Sequence, residues 1–158
     1  MVRIPLVGRI GAGLYAMVDD EDYEMLAGHR WRLDRGNHPD YAKTGRERVV
    51  RMHAMIMGIP RADHINGDGL NNQRSNLRAA APRQQQMNRR KQAARCSSRF
   101  KGVFWYKRSG RWQANIRLDG KQYHLGYFTD EVEAARAYDA AAAVMFGEFA
   151  RLNFERLP

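Results

Sequence analysis

Residues 111–120, RWQANIRLDG, set Trp112, Ala114, Ile116 and Leu118 against Gln113, Asn115 and Arg117 in strict alternation. A period of two puts the apolar set on one face of an extended strand and the polar set on the other, so the segment reads as a half-buried strand. Ser109-Gly110 before it and Asp119-Gly120 after it are hairpin turn pairs. They predict an antiparallel three-stranded meander of FKGVFWYKR, RWQANIRLD and KQYHLGYF. A sheet of that width needs an apolar cover. The next segment supplies one: Thr129 or Asp130 caps a helix, Asp130 with Glu133 resembles a capping box, and the alanine-rich stretch runs from Val132 until Gly147 ends it. Val132, Ala135, Tyr138, Ala142 and Met145 face the sheet. Alternation leaves the other sheet face wet, with Phe104, Tyr106, Arg108, Asn115, Arg117, Gln122 and His124 on it. Such a face can enter a DNA major groove, where Arg and Gln read base edges.

The charge distribution names a partner class. With 27 Lys and Arg against 17 Asp and Glu, the chain carries a formal charge of +10. Between Asp68 and Asp119 there is no carboxylate, while thirteen Lys and Arg fall in that interval. A block of this kind seeks a polyanion, because neutralising phosphates releases condensed counterions. Arg89, Arg90 and Lys91 lie in its middle, in a tether expected to run along the DNA backbone or a groove. No amphipathic membrane helix accompanies the block, and the longest uncharged apolar run, residues 140–146, is far short of a membrane span. The single cysteine, Cys96, excludes an internal disulfide and thiolate-rich zinc patterns. The opening MVRIPLVGRIG has no apolar core of the secretory type, and a cytoplasmic location is expected.

Residues 1–60 read as short strands and turns, with apolar pieces at 4–7, 14–18 and 23–31 and weak helical periodicity. Gly8, Gly11 and Gly13 do not have the spacing of a phosphate-binding loop. Residues 63–76, DHINGDGLNNQRSN, are almost wholly turn-forming. Pro82 suits the first turn of a helix over residues 83–92, and residues 96–98 read as a linker. The fold class expected is α+β: a strand-rich region at 1–50, a small core at 50–92 and a sheet packed on one helix at 99–158.

Within the turn-rich segment, Asp63 stands beside His64. A carboxylate with an amide oxygen suits a hard cation, Mg²⁺ or Mn²⁺, and a neutral imidazole next to it can take a proton from water during phosphodiester hydrolysis. A calcium loop starting at Asp63 fails, since its ligand positions would be Ile65 and Gly67. The same residues also read as a turn held by local hydrogen bonds.

Two resemblances bear on these readings. The stretch 99–154, through KGV at 101–103, WQANIR at 112–117, LGYF at 125–128, EAARAYD at 133–139 and LNF at 152–154, resembles the ethylene-response-factor DNA-binding domain of plant transcription factors. That resemblance implies DNA contacts from Lys101, Phe104, Tyr106, Arg108, Asn115, Arg117, Gln122 and His124. It does not carry over a target sequence, because the plant proteins usually have arginines or tryptophan where Phe104, Tyr106, Gln122 and His124 stand here.

The stretch 50–90, through VRMHAMIMG at 50–58 and DHINGDGLNNQRSNLR at 63–78, resembles HNH homing endonucleases of phages and bacteria. The family folds this segment as two strands and a helix around one metal ion. The resemblance makes His64 the general base, Asp63 a metal ligand and Asn76 the residue that braces the loop and orients the base. It aligns Gln85 with a His or Asn ligand and Asn88 with a further Asn; glutamine adds a methylene and alters the ligand geometry. His53 matches a histidine common in the family. The combined expectation is a metal-dependent endonuclease at 1–95 acting on double-stranded DNA in a bacterial or phage-infected cell, with no protein partner evident. The alternative is a non-catalytic DNA-binding regulator with a degenerate nuclease site. An RNA-directed protein lacks a recognisable RNA module.

Overall fold

The computed structural model of the 158-residue chain describes residues 1–35, 39–91 and 96–154. It is a mixed α and β protein with several small sheets, and it divides into two compact units, Met1–Arg83 and Gln84–Pro158. The division falls upstream of the 96–98 segment read as a linker.

In the first unit, β1 (Val2–Pro5) pairs antiparallel with β2 (Tyr15–Val18), and β3 (Arg32–Asp34), β4 (Tyr41–Thr44) and β5 (Val50–Arg51) form a second antiparallel sheet. A third pair joins β6 (Ala62–His64) to β7 (Leu77–Ala79), with Asp63 opposite Arg78 and His64 opposite Leu77. Strands of two to four residues do not hold on their own pairing. They are fixed by a shared core of Ile4, Val18, Leu26, Trp31, Leu33, Met52, Ile56 and Leu77, each a side chain whose burial stabilises by roughly 1.5–3 kcal/mol.

Two helices stand where short strands and turns were expected. α1 (Tyr23–Ala27) follows a 3₁₀ turn at Asp20–Asp22, and α2 (Met52–Met57) follows β5 directly. Five and six residues are too few for a 3.6-residue period to show in the sequence, and Met, Leu and Ala are good helix formers once packing selects the conformation.

The second unit holds the expected meander. β8 (Val103–Tyr106), β9 (Arg111–Leu118) and β10 (Lys121–Phe128) are antiparallel in the order β10-β9-β8, and α4 (Glu131–Phe146) packs across them. Asp130 caps α4, accepting hydrogen bonds from Val132 N at 2.8 Å and Glu133 N at 3.0 Å. Ala134, Ala135 and Ala142 are fully buried, so the helix backbone lies close to Val103, Ala114 and Ile116. α3 (Pro82–Met87) begins at the proline as expected and gives way to a turn at Asn88, shorter than the 83–92 helix read from composition. Residues 92–95 of the basic segment lie outside the described residues. Among the described residues no helix is long and apolar enough to cross a membrane.

The KGV and LNF motifs are two sides of one contact. Gly102 has φ +77°, and a Cβ there would fall inside the Tyr138 ring of α4. Asp139, next along the helix, accepts from Asn153 N and Phe154 N, both at 2.9 Å. Asn153 in turn accepts from Lys101 N at 2.6 Å and donates to Lys101 O at 3.1 Å. Gly102→Ala is expected to destabilise by roughly 2–5 kcal/mol, combining left-handed backbone strain with overpacking. Urea denaturation of the full chain checks this.

Candidate active site and nucleic-acid interface

His64 ends β6, and the chain then leaves the hairpin for a loop that returns at Asn76. Three fastenings hold that loop. Asn76 Oδ1 accepts from Asn66 N at 3.0 Å, and Asn76 Nδ2 donates to Asn71 O at 2.7 Å. Asp19 accepts from Arg74 N at 2.8 Å and from Gln73 Nε2 at 3.1 Å. The buried Asp22 carboxylate takes both Nε and a terminal nitrogen of Arg74, at 3.0 and 2.6 Å. The acidic run at 19–22 therefore anchors the loop.

The imidazole so positioned is 2% exposed. His53 from α2 meets it edge to face, with ring centroids 4.9 Å apart, and Tyr41 from β4 lies 5.6 Å away. Asn72 Oδ1 is 3.2 Å from His64 Nε2. Burial lowers the His64 pKa, and it does so against the opposing pull of Asn72, Asp63 and Asp68, so the ring is neutral near pH 7. His53 is lowered to about 3, first by burial and then by His64 and Arg51. Asp63, the cross-strand partner of Arg78, accepts from its guanidinium at 3.1 Å. Any cation held by Asp63 shares that carboxylate with an arginine.

The expected site residues separate as follows. Asp63, His64 and Asn76 lie together in the first unit; Gln85 on α3 and the buried Asn88 just after it belong to the second. Among the described residues no three His, Cys, Asp or Glu side chains gather in one place, so a cation here would depend on carboxylate and amide oxygens with water, the donor set of Mg²⁺. His53 and Asn72 were missed as neighbours of His64. The family histidine and the run of asparagines were visible, but their approach requires α2 and the fastened loop.

On the sheet, Phe104, Arg108, Arg117, Gln122 and His124 are exposed and Tyr106 is half-buried. Asn115 is buried: its Oδ1 lies 3.1 Å from His124 Nδ1 and 3.3 Å from Gln113 Nε2. Lys91 and Lys101 turn their ammonium groups inward. Lys91 donates to Phe100 O and Val103 O at 2.6 and 2.8 Å, and Lys101 donates to Met87 O. Burial, with Arg151 nearby, lowers Lys101 to about 8. Lys91 satisfies open carbonyls of the 100–103 turn and Lys101 the Met87 carbonyl at the end of α3, so both cations are engaged by backbone. Arg89 and Arg90 are exposed.

A bulge adds a residue that alternation does not place. The β9–β10 register shifts between His124 and Gly126, so Tyr127 sits opposite Gln113 and joins His124, at 4.6 Å between ring centroids, and Tyr106, at 5.3 Å. Gly126, at φ +137°, makes the bulge possible, and a glycine inside a strand pattern was the available signal.

Comparison with known proteins agrees with both resemblances. The chain is 30% identical over 159 residues to an uncharacterized HNH endonuclease of Acanthamoeba polyphaga mimivirus, a match spanning 97% of this chain and 81% of the relative. The chain belongs to the HNH endonuclease family. This HNH protein is also 48% identical over 58 residues to an AP2-like ethylene-responsive transcription factor of Arabidopsis thaliana, covering 37% of the chain and 12% of the plant protein. A dehydration-responsive element-binding protein of the same plant is 47% identical over 68 residues, covering 40% of the chain and 18% of the relative. No family profile and no solved structure matches.

Replacing Asn76 by Ala removes both loop fastenings made by its amide. Stability is expected to fall by roughly 1–3 kcal/mol, with faster hydrogen exchange at the Asn66 amide, as read by urea denaturation and exchange measurements.

Proposed function

We propose that this HNH protein is a metal-dependent DNA endonuclease of the homing type, with Met1–Arg83 and α3 carrying the chemistry and the sheet of Gln84–Pro158 reading DNA. The observation that carries the reading is the neutral, buried His64 beside Asp63, held on a fastened loop in a chain of this family. In this reading β6, β7 and α3 are the two strands and helix of the nuclease core. The family resemblance gives Asp63, Gln85 and Asn88 as the residues that would hold one Mg²⁺ or Mn²⁺ through carboxylate and amide oxygens. When bound, the ion supplies charge stabilisation at the scissile phosphate and the departing oxygen. His64 accepts the proton of the attacking water, and Asn76 keeps the loop, and with it the imidazole, in place.

Sequence reading falls to the sheet because a small nuclease centre meets mainly phosphate. Arg117, Arg108 and Gln122 supply hydrogen-bond donors, while Phe104, Tyr106 and Tyr127 supply apolar contact to sugar and thymine methyls. Arg89 and Arg90 add phosphate contacts. The protein acts inside the cell that holds its target DNA.

The second reading is a DNA-binding regulator with a degenerate nuclease site. Gln85 at a ligand position, and an Asp63 carboxylate already paired with Arg78, favour it. Incubation with plasmid and Mg²⁺ decides: nicking that disappears with chelator and in His64→Ala supports the enzyme, whereas tight binding of cognate DNA without cleavage supports the regulator.

For the reading surface, Arg117→Ala is expected to weaken DNA binding and to reduce the slope of log affinity against log salt by about one if Arg117 meets a phosphate. Unchanged affinity across a salt titration would remove the sheet from the interface.

A further inference from the structure

Arg90, Lys91, Arg99, Lys101 and Arg151 line one cavity of the second unit, about 320 Å³ in volume. Among the described residues no carboxylate stands on its wall. The acids that act on these cations from outside the cavity are Asp139, on Lys101, and Glu131, on Lys91. Asp139 is engaged already by Asn153 N, Asn153 Nδ2 and Phe154 N.

The cations are held around this space by contacts the fold has built for other reasons. Asn153, bonded to both Lys101 N and Lys101 O, ties residues 151–153 beside the turn at 99–101. The Phe100 and Phe154 rings meet with centroids 5.3 Å apart, and the Arg99 guanidinium lies 4.8 Å over the Phe100 ring. Lys91 and Lys101 are anchored by the carbonyls of Phe100, Val103 and Met87. Cations kept this close repel one another. Burial lowers Arg151 and Arg90 lowers it further; burial lowers Lys101 and Arg151 adds to that. An anion with several oxygens relieves such repulsion, and the guanidinium fork matches phosphate in particular.

Lys91 also lines a neighbouring cavity of about 440 Å³, whose wall includes Phe104, Arg117 and Gln122 of the open sheet face. The two spaces therefore adjoin beside β8, the outer strand of the sheet. A single small anion fills one of them, whereas a strand with a phosphate at every nucleotide reaches both.

We propose that the cavity of Arg90, Arg99 and Arg151 is a phosphate site, occupied by the backbone of a DNA strand that runs off the β8 edge of the sheet. The inference rests on the sheet as the DNA-reading surface. It adds contacts from Arg99 and from Arg151 of the C-terminal segment, which alternation along the strands does not place. Lys91 and Lys101, turned inward, give their charge to this site.

The test uses the full chain and a mixed-sequence duplex, with affinity measured across a salt titration. The double variant Arg99→Gln, Arg151→Gln is expected to bind several-fold more weakly and to lose about one from the slope of log affinity against log salt. Arg151→Lys, which keeps the charge, is expected to retain the wild-type slope. If the double variant does not fold, Arg99→Glu at the exposed position decides: weaker binding than Arg99→Gln supports the site, and wild-type affinity overturns it. A second arm adds inorganic phosphate against chloride at equal ionic strength and follows backbone amides by NMR. The Lys101 and Asn153 amides are expected to shift in the wild type and not in the double variant. A wild-type slope in the double variant overturns the proposal, as do amides that ignore phosphate in the wild type or respond equally in both proteins. Phosphate shifts with no change in duplex binding assign the cavity to a free anion and overturn it likewise. If Arg117→Ala weakens duplex binding while these variants do not, this site alone fails; a wild type with no salt-dependent affinity for the duplex removes the reading surface as well.

Discussion

The candidate site exists because a turn-rich loop is tied down from the other end of its unit. Nothing in residues 65–73 forms an element of its own, and an untied loop of that composition would sample many conformations at a cost in order of roughly 1–2 kcal/mol per residue fixed. Asp22, buried and bound through both carboxylate oxygens to Arg74, removes much of that freedom, and Asp19 caps the same turn through Arg74 N. Asn76 then closes the loop on itself. Charge-assisted, two-point pairing of this kind sets orientation as well as proximity for the loop that follows His64.

The second unit solves a different problem with similar means. A three-stranded sheet covered by one helix buries only one face, so closeness between the layers matters. Alanines on α4 and a glycine before β8 allow it, and Asp139 with Asn153 ties the C-terminal strand of chain back to the KGV turn. The face left open is shaped by the Gly126 bulge, which swings Tyr127 into line with Tyr106 and His124. A one-residue slip in a strand exchanges its two faces, so the bulge changes the chemistry that the sheet presents.

Cationic charge and buried imidazoles serve separate ends in this chain. Arg108 and Arg117 present their guanidinium groups to solvent, whereas burial lowers the pKa of His53 and His64. Lys101 stands between these regimes, drawn inward by the Met87 carbonyl and lowered to about 8.

Much of this was legible in the residues themselves. The alternation in 111–118, the Gly-containing turns and the Asp130 cap determined the meander and α4, because period and turn chemistry are local properties. Asp63 beside His64 in a run of amides marked the candidate site for the same reason. The sequence did not disclose α1 and α2, which are too short for a 3.6-residue period to show, nor the bulge at Leu125, which breaks the alternation on which the wet face was drawn. It also left Asn72 indistinguishable from its neighbours. Only the tertiary structure turned one asparagine of the run toward Nε2 and another toward the loop backbone, because that choice depends on β2, β4 and α2 packing around the loop, and those contacts join residues too far apart in the chain for any local pattern to record.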